Sequence, residues 1–209
     1  MTARPIRLPT ASPAPEPAAG PVQDRLLDAA LACFRRMGGK RTRIEDIAAE
    51  AGLARTAIYR YYPNKRAITA ALASRWLAED ETLLAAIARD SGRSPGSRLQ
   101  AFLLADAEQA RRYLADSCLA EVLAEVATDI PGVLMQHRAH IRRLLAGLLV
   151  EGSQAGVFRA EPAERLAQAI DDLTATFHDI RLAAAFDKDS WRARAESAAD
   201  IILRSVRTR

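Results

Sequence analysis

The feature that most constrains the chain lies between residues 42 and 62, where two short apolar periodicities follow one another almost without a gap. Ile44, Ile47 and Ala48 give one helical face, Gly52 can adopt a left-handed turn, and Ile58 anchors a second face soon after. Thr42, Arg43, Ile44 and Glu45 read as a capping box, in which the threonine hydroxyl accepts from an orphan N–H and Glu45 reaches back to Thr42. A longer stripe of Leu26, Leu27, Ala30, Leu31 and Phe34 precedes the pair over 22–37 and stops at Gly38 and Gly39. The third helix is expected over 55–61, with Ala54 in the capping position. Alanine offers no acceptor there, at a cost of about 1 kcal/mol. A longer helix followed by two short ones across a tight Gly-containing turn is the helix-turn-helix arrangement.

Pro63 and Asn64 end this segment, and a fourth helix is expected over 65–89 through Ile68, Leu72, Trp76, Leu77, Leu83, Leu84 and Ile87. Residues 91–96 read as a loop, and helices follow near 97–114, 117–128, 132–155, 162–186 and 190–206. Pro131 and Pro162 fall in first turns, where a missing N–H does no harm, and Asp189 or Ser190 can cap the last helix. Neither strand pairs nor internal repeats are visible. The expected fold is therefore all-α, an N-terminal three-helix helix-turn-helix domain over 22–69 followed by a C-terminal helical bundle over 70–209. Residues 1–21 hold six of the ten prolines and read as a disordered Pro/Ala-rich tail.

Charge separates these segments. The chain has a net charge of +4, yet residues 22–69 hold ten Lys or Arg against five Asp or Glu, while residues 70–209 hold eighteen against twenty. A basic N-terminal unit suits contact with a polyanion such as double-stranded DNA. Cys33 and Cys118 lie far apart within helical patterns, as reduced thiols of a cytoplasmic protein do. No apolar run is long enough for a signal peptide or a membrane span, so no membrane partner is expected. Nothing matches a P-loop, a Rossmann glycine motif, a Gly-x-Ser-x-Gly elbow or the Glu-x-x-His pairs of a di-iron bundle, so no enzyme is expected.

The order and spacing of Leu26-Leu27-Asp28-Ala29-Ala30, Phe34, Gly38, Thr42 to Ala48, Ala51-Gly52-Leu53 and Ala57 to Lys65 resemble the N-terminal domain of the tetracycline-repressor (TetR) family. The likeness spans about fifty residues; beyond it only helical layout and length agree. It implies a third helix that enters the major groove with its N-terminal side chains on base edges. Arg55 can then donate twice to guanine, and Thr56 can offer its hydroxyl to a base or its methyl to thymine. Thr42, Arg43, Tyr59, Tyr61 and Lys65 are implied at the backbone or groove edge, and Arg60 suits either task. Glu45 stands where relatives are often basic, and could read cytosine or serve the capping box.

The resemblance also implies that the second half binds a small-molecule effector and forms a homodimer through its last two long helices. Apolar stripes permit this. Leu166, Ile170, Leu173, Phe177 and Ile180 form one, and Trp191, Ala195, Ala198, Ile202 and Val206 another. Pocket candidates are Trp76, Phe102, Tyr113, Cys118, Met135, His137, His140, Phe177 and His178, which combine apolar bodies with polar handles. No cofactor is expected. Two alternatives stay open: a metal-responsive regulator using His137, His140 and His178, and a helical protein-protein interaction module.

Overall fold

The computed structural model describes residues 20–183 and 190–208. Residues 1–19 of the expected tail, Asp189 and the end of the helix expected over 162–186 lie outside the described residues. Within them the chain forms ten helical segments, α1 (Pro21–Met37), α2 (Ile44–Glu50), α3 (Arg55–Ile58), α4 (Lys65–Ala88), α5 (Pro95–Ala115), α6 (Ser117–Asp129), α7 (Pro131–Gln154), α8 (Ala163–His178), α9 (Ile180–Ala183) and α10 (Trp191–Val206). Among the described residues the only extended pairing is an isolated bridge between Phe158 and Arg207. The fold is all-α, as the periodicities require.

Local chemistry sets the helix starts, and at α2 it differs from the expectation. Arg43, not Thr42, is the capping residue, and its backbone N–H donates to Asp46 Oδ2 at 2.8 Å. The Thr42 hydroxyl instead donates back to the Gly38 carbonyl at 2.9 Å, in a side chain that is fully buried. The capping box is thus one residue out of register, because the α1–α2 corner offers Thr42 a better partner. Asn64, Ser94 and Asp116 cap α4, α5 and α6 through their side chains. The Ser94 cap and Pro95 in the first helical position let α5 begin inside the segment expected to be a loop. Ala54, as expected, provides no side-chain cap, and α3 is a single turn.

Three apolar clusters hold the helices. The first joins α1–α4, through Leu26, Phe34, Ile47, Ile58 and Leu72, to Tyr113 and to Val122, Leu123 and Val126 of α6. The helix-turn-helix unit therefore rests directly on the second half of the chain. The second cluster lies among α4, α5, α7, α8 and α10 around Leu84, Leu99, Phe102, Ile141 and Leu148. Phe158 enters it edge-on to α7, so close that a Cβ at Gly152 would lie 2.0 Å from the ring. The third packs Phe177 against Trp191 with centroids 5.4 Å apart and rings nearly perpendicular, while the Trp191 indole donates to the Ala107 carbonyl at 3.2 Å.

Most residues of the stripes expected to meet a partner pack within the protomer. Ile170, Phe177, Trp191, Ala195, Ile202 and Val206 are buried in the protomer's own clusters, with Leu166 and Ala198 packed partly against them. The side chain of Ile180 lies outside the described residues. The most apolar stripe of each helix closes its own core first, and the outer faces keep isolated apolar groups, Leu173 at 72% and Ile201 at 62% exposure.

Candidate DNA-reading head and effector cavity

The α2–turn–α3 unit is built on two buried anchors, Ile47 and Ile58, which share one core and leave the rest of α3 outside it. Gly52 makes the turn with φ +64°, a conformation in which an L side chain is strained, and the Leu53 N–H bonds the Ala48 carbonyl at 2.9 Å. With Ile58 inward, Arg55, Thr56, Tyr59, Arg60 and Tyr61 are all exposed, as is Arg43 at the start of α2. Tyr62 turns inward and is buried, where burial pushes its hydroxyl above the ordinary tyrosine range.

Arg55 is already engaged. Its guanidinium lies 3.0 Å from Glu45 Oε1, donates to the Tyr59 hydroxyl at 3.2 Å and sits 5.7 Å from the centre of the Tyr59 ring. All these groups are exposed, so the pair is weak and exchangeable, and it orients Arg55 without committing it. Glu45 thus faces the third helix and does not close a capping box. Two expected contacts sit differently from the rest. Thr42 is buried, and the half-buried Lys65 ammonium donates to the Gly39 and Thr42 carbonyls at 2.8 and 3.2 Å. Lys65 ties the start of α4 to the α1–α2 corner, a role that motif position alone did not signal.

The second site is a half-open cavity of about 560 Å³ lined by α4 to α8. Its apolar wall includes Leu77, Leu123, Leu134 and Met135, and Tyr113, His137 and His178 also line it. Other expected pocket residues lie elsewhere. Trp76 and Cys118 belong to the first cluster, Phe102 to the second and Phe177 to the third, while the half-buried His140 is not among the lining residues. Large aromatics on the inner helix faces were drawn into cores, leaving smaller groups around the space between them.

Sequence reasoning missed a charged network in the cavity wall. Arg138 on α7 bridges Asp106 on α5, at 2.8 Å, and Asp171 on α8, while Arg142 one turn on donates to Asp171 at 2.9 Å. His178 Nε2 lies 3.3 Å from Asp171. Burial alone would raise the Asp171 carboxyl, but His178, Arg138 and Arg142 together hold it well below the usual carboxylate range. The available signal was the pair Arg138 and Arg142 at i, i+4 beside His137, charges on a helix that must also supply core.

The histidines are divided between carboxylates. His137 Nδ1 lies 2.9 Å from Glu81, and burial pushes the imidazole below its ordinary value despite that bond. Among the described residues no group of three or more His, Cys, Asp or Glu is placed to hold a metal ion. Both cysteines are free thiols, and no described helix is long and apolar enough to cross a membrane.

Comparison with known proteins covers both parts of the chain. Residues 26–72 match the family described as bacterial regulatory proteins, tetR family, and residues 95–198 match the tetracyclin repressor-like C-terminal domain. No curated protein matches. Among solved structures, a TetR-family transcriptional regulator from Pectobacterium atrosepticum is 23% identical with a TM-score of 0.70, over 90% of this chain and 95% of its own. SmeT, the repressor of the Stenotrophomonas maltophilia multidrug efflux pump SmeDEF, is 19% identical with a TM-score of 0.66, over 88% and 90%. FadR, a fatty acid degradation regulator from Bacillus halodurans, is 21% identical with a TM-score of 0.65, over 88% and 95%. With a helix-turn-helix unit over α2 and α3, a helical second half lining a cavity, and family matches on both, the chain belongs to the TetR family of transcriptional regulators.

Proposed function

We propose that the protein is a homodimeric repressor that binds a palindromic operator and is released from it by a small molecule held in the α4–α8 cavity. In this reading residues 22–69 form the DNA-binding domain and 70–209 the effector-binding and dimerisation domain. Arg55 and Thr56 read base edges, with Arg43, Tyr59, Arg60 and Tyr61 placed around them for the backbone or groove edge. Thr42 and Lys65 act mainly by fixing the corner from which these residues project. Two reading heads about 34 Å apart would occupy successive major grooves on one face of DNA, and block polymerase there.

The observation that carries the reading is the course of α4. One uninterrupted helix begins at Lys65, bonded to the reading head, and brings Leu77 and Asp80 to the cavity wall. Fifteen residues of helix span about 22 Å, so a small tilt at the cavity becomes a displacement at the head. A ligand shifts this equilibrium only by its differential affinity for the two positions. The dimer would use the outer faces of α8 and α10, where Leu173 and Ile201 stand exposed.

Selection of bound sequences from a random DNA pool, followed by titration at several salt concentrations, tests the proposal. A palindromic consensus, steep salt dependence and loss of sequence preference in Arg55→Ala with the dimer intact are expected. Footprints unchanged by Arg55→Ala would overturn its role as reader. Absence of both sequence preference and salt dependence would favour a helical protein-binding module instead.

A further inference from the structure

The charges in the cavity wall are unevenly matched. Among the described residues lining it, the carboxylates of Asp80, Asp106 and Asp171 stand beside two arginines, Arg138 and Arg142. Both arginines are engaged by Asp106 and Asp171, and His137 faces Glu81. Asp80 is different. It is 3% exposed, lies in the middle of α4, and receives a hydrogen bond from the neutral Tyr113 hydroxyl; among the described residues no cation forms an ion pair with it, the Arg112 charge acting only from farther off.

A second feature lies on the same wall. Gln109, one turn before Tyr113 on α5, is 5% exposed, and both its side-chain Oε1 and Nε2 lack a hydrogen-bond partner. A buried amide left unpaired at both ends is uncommon and costs stability, unless something that enters the cavity satisfies it. Asp80 and Gln109 place a carboxylate and an amide beside the apolar part of the lining, Leu77, Leu123, Leu134 and Met135.

We infer that the effector is an apolar-bodied amine, whose protonated nitrogen donates to the Asp80 carboxylate and the Gln109 side-chain oxygen. The inference rests on the proposed effector role of this cavity and adds the chemistry of what enters it. A cation gains a charge-assisted bond in a desolvated setting and relieves the unmatched carboxylate in the same step. A neutral alcohol satisfies Gln109 but leaves Asp80 unmatched. An anion must either face Asp80 or displace an aspartate from Arg138 or Arg142. Burial pushes the Asp80 carboxyl up to about 6 despite the Tyr113 bond and the Arg112 charge, in keeping with the lack of a close ion-pair partner.

The test is calorimetric titration of the full-length dimer at pH 7.5 with decylamine, decanol and decanoate, matched in chain length and different in head-group charge. Decylamine is expected to bind at least about tenfold more tightly than either of the others, the scale of one charge-assisted bond. Asp80→Asn should bring decylamine to within about twofold of decanol. Equal or tighter binding of decanol or decanoate by the unaltered chain, absence of decylamine binding, or an amine preference retained in Asp80→Asn would each overturn the inference. The series on the unaltered chain decides even if the variant folds poorly. DNA binding in the same preparations separates the two claims: specific DNA binding without amine preference overturns the ligand class alone. Amine preference without release of DNA overturns the effector reading and leaves the ligand chemistry standing.

Discussion

Replacing Asp80 with asparagine should stabilise the unliganded protein, and the gain should grow with pH. The side chain is buried, and its carboxyl is raised from 3.8 to about 6, by burial first, with Asp106 and Glu79 adding to the rise and Tyr113 and Arg112 opposing it. A folded-state value above the unfolded one means that stability is fully present below about 3.8 and is lost as pH rises through about 6. Two units at 1.36 kcal/mol each give a cost of about 3 kcal/mol at pH 8, and the same linkage gives about 1 kcal/mol at pH 4.5. Asparagine is nearly isosteric, and its side-chain oxygen can still accept from the Tyr113 hydroxyl, so the change removes the charge and little else. Urea unfolding of both proteins at one fixed protein concentration should therefore give a stability gap that widens by about 2 kcal/mol between pH 4.5 and pH 8. A gap that stays constant with pH, or a variant less stable at pH 8, would refute the claim that Asp80 is held charged at a cost.

Three further outcomes follow from other parts of the fold. Lys65→Met keeps the aliphatic stem but removes the bonds to Gly39 and Thr42, and should lower stability by about 1–3 kcal/mol while weakening DNA binding evenly across sequences; an unchanged melting temperature would contradict the bracing role. Leu173→Asp combined with Ile201→Asp should yield monomers in sedimentation at unchanged helix content, because both side chains are exposed, whereas a variant that still dimerises would move the interface off these faces. Gly152→Ala places a methyl on the buried Phe158 ring and should cost about 1–3 kcal/mol by denaturant unfolding, and a neutral result would mean the ring can retreat.

How much of this was legible in the sequence depended on whether local or tertiary physics decided the outcome. The helices and the inward positions of Ile47, Ile58 and Phe34 followed from periodicity, which tertiary packing had only to accept. The capping register at Arg43 did not, because Thr42 had two available partners and only the folded corner offered the Gly38 carbonyl. The stripes of α8 and α10 were read correctly as apolar, but periodicity does not say whether such a stripe meets its own subunit or another. Pocket residues were hardest. Aromatic side chains were natural candidates, yet their size is what drew Phe102 and Trp76 into cores, whereas Asp80, Asp106 and Asp171 are ordinary helix-face aspartates until α4, α5, α7 and α8 come together.

The places where local preference and fold disagree fall along one path. Ala54 leaves the reading helix uncapped, Arg55 is held by an exposed pair easily exchanged, and Lys65 braces the corner from the first turn of α4. Farther along the same helix Asp80 is buried without an ion-pair partner among the described residues, and Gln109, unpaired among them, lines the same cavity. A chain selected for stability alone would cap the first and neutralise the last, since each change is small and available. Their persistence from the α3 start to the middle of α4 fits the proposed reading, in which the free state is left short of its most stable form and DNA at α3 or a ligand at the cavity supplies what is missing. In that reading differential binding can shift the position of α4 with modest free energies.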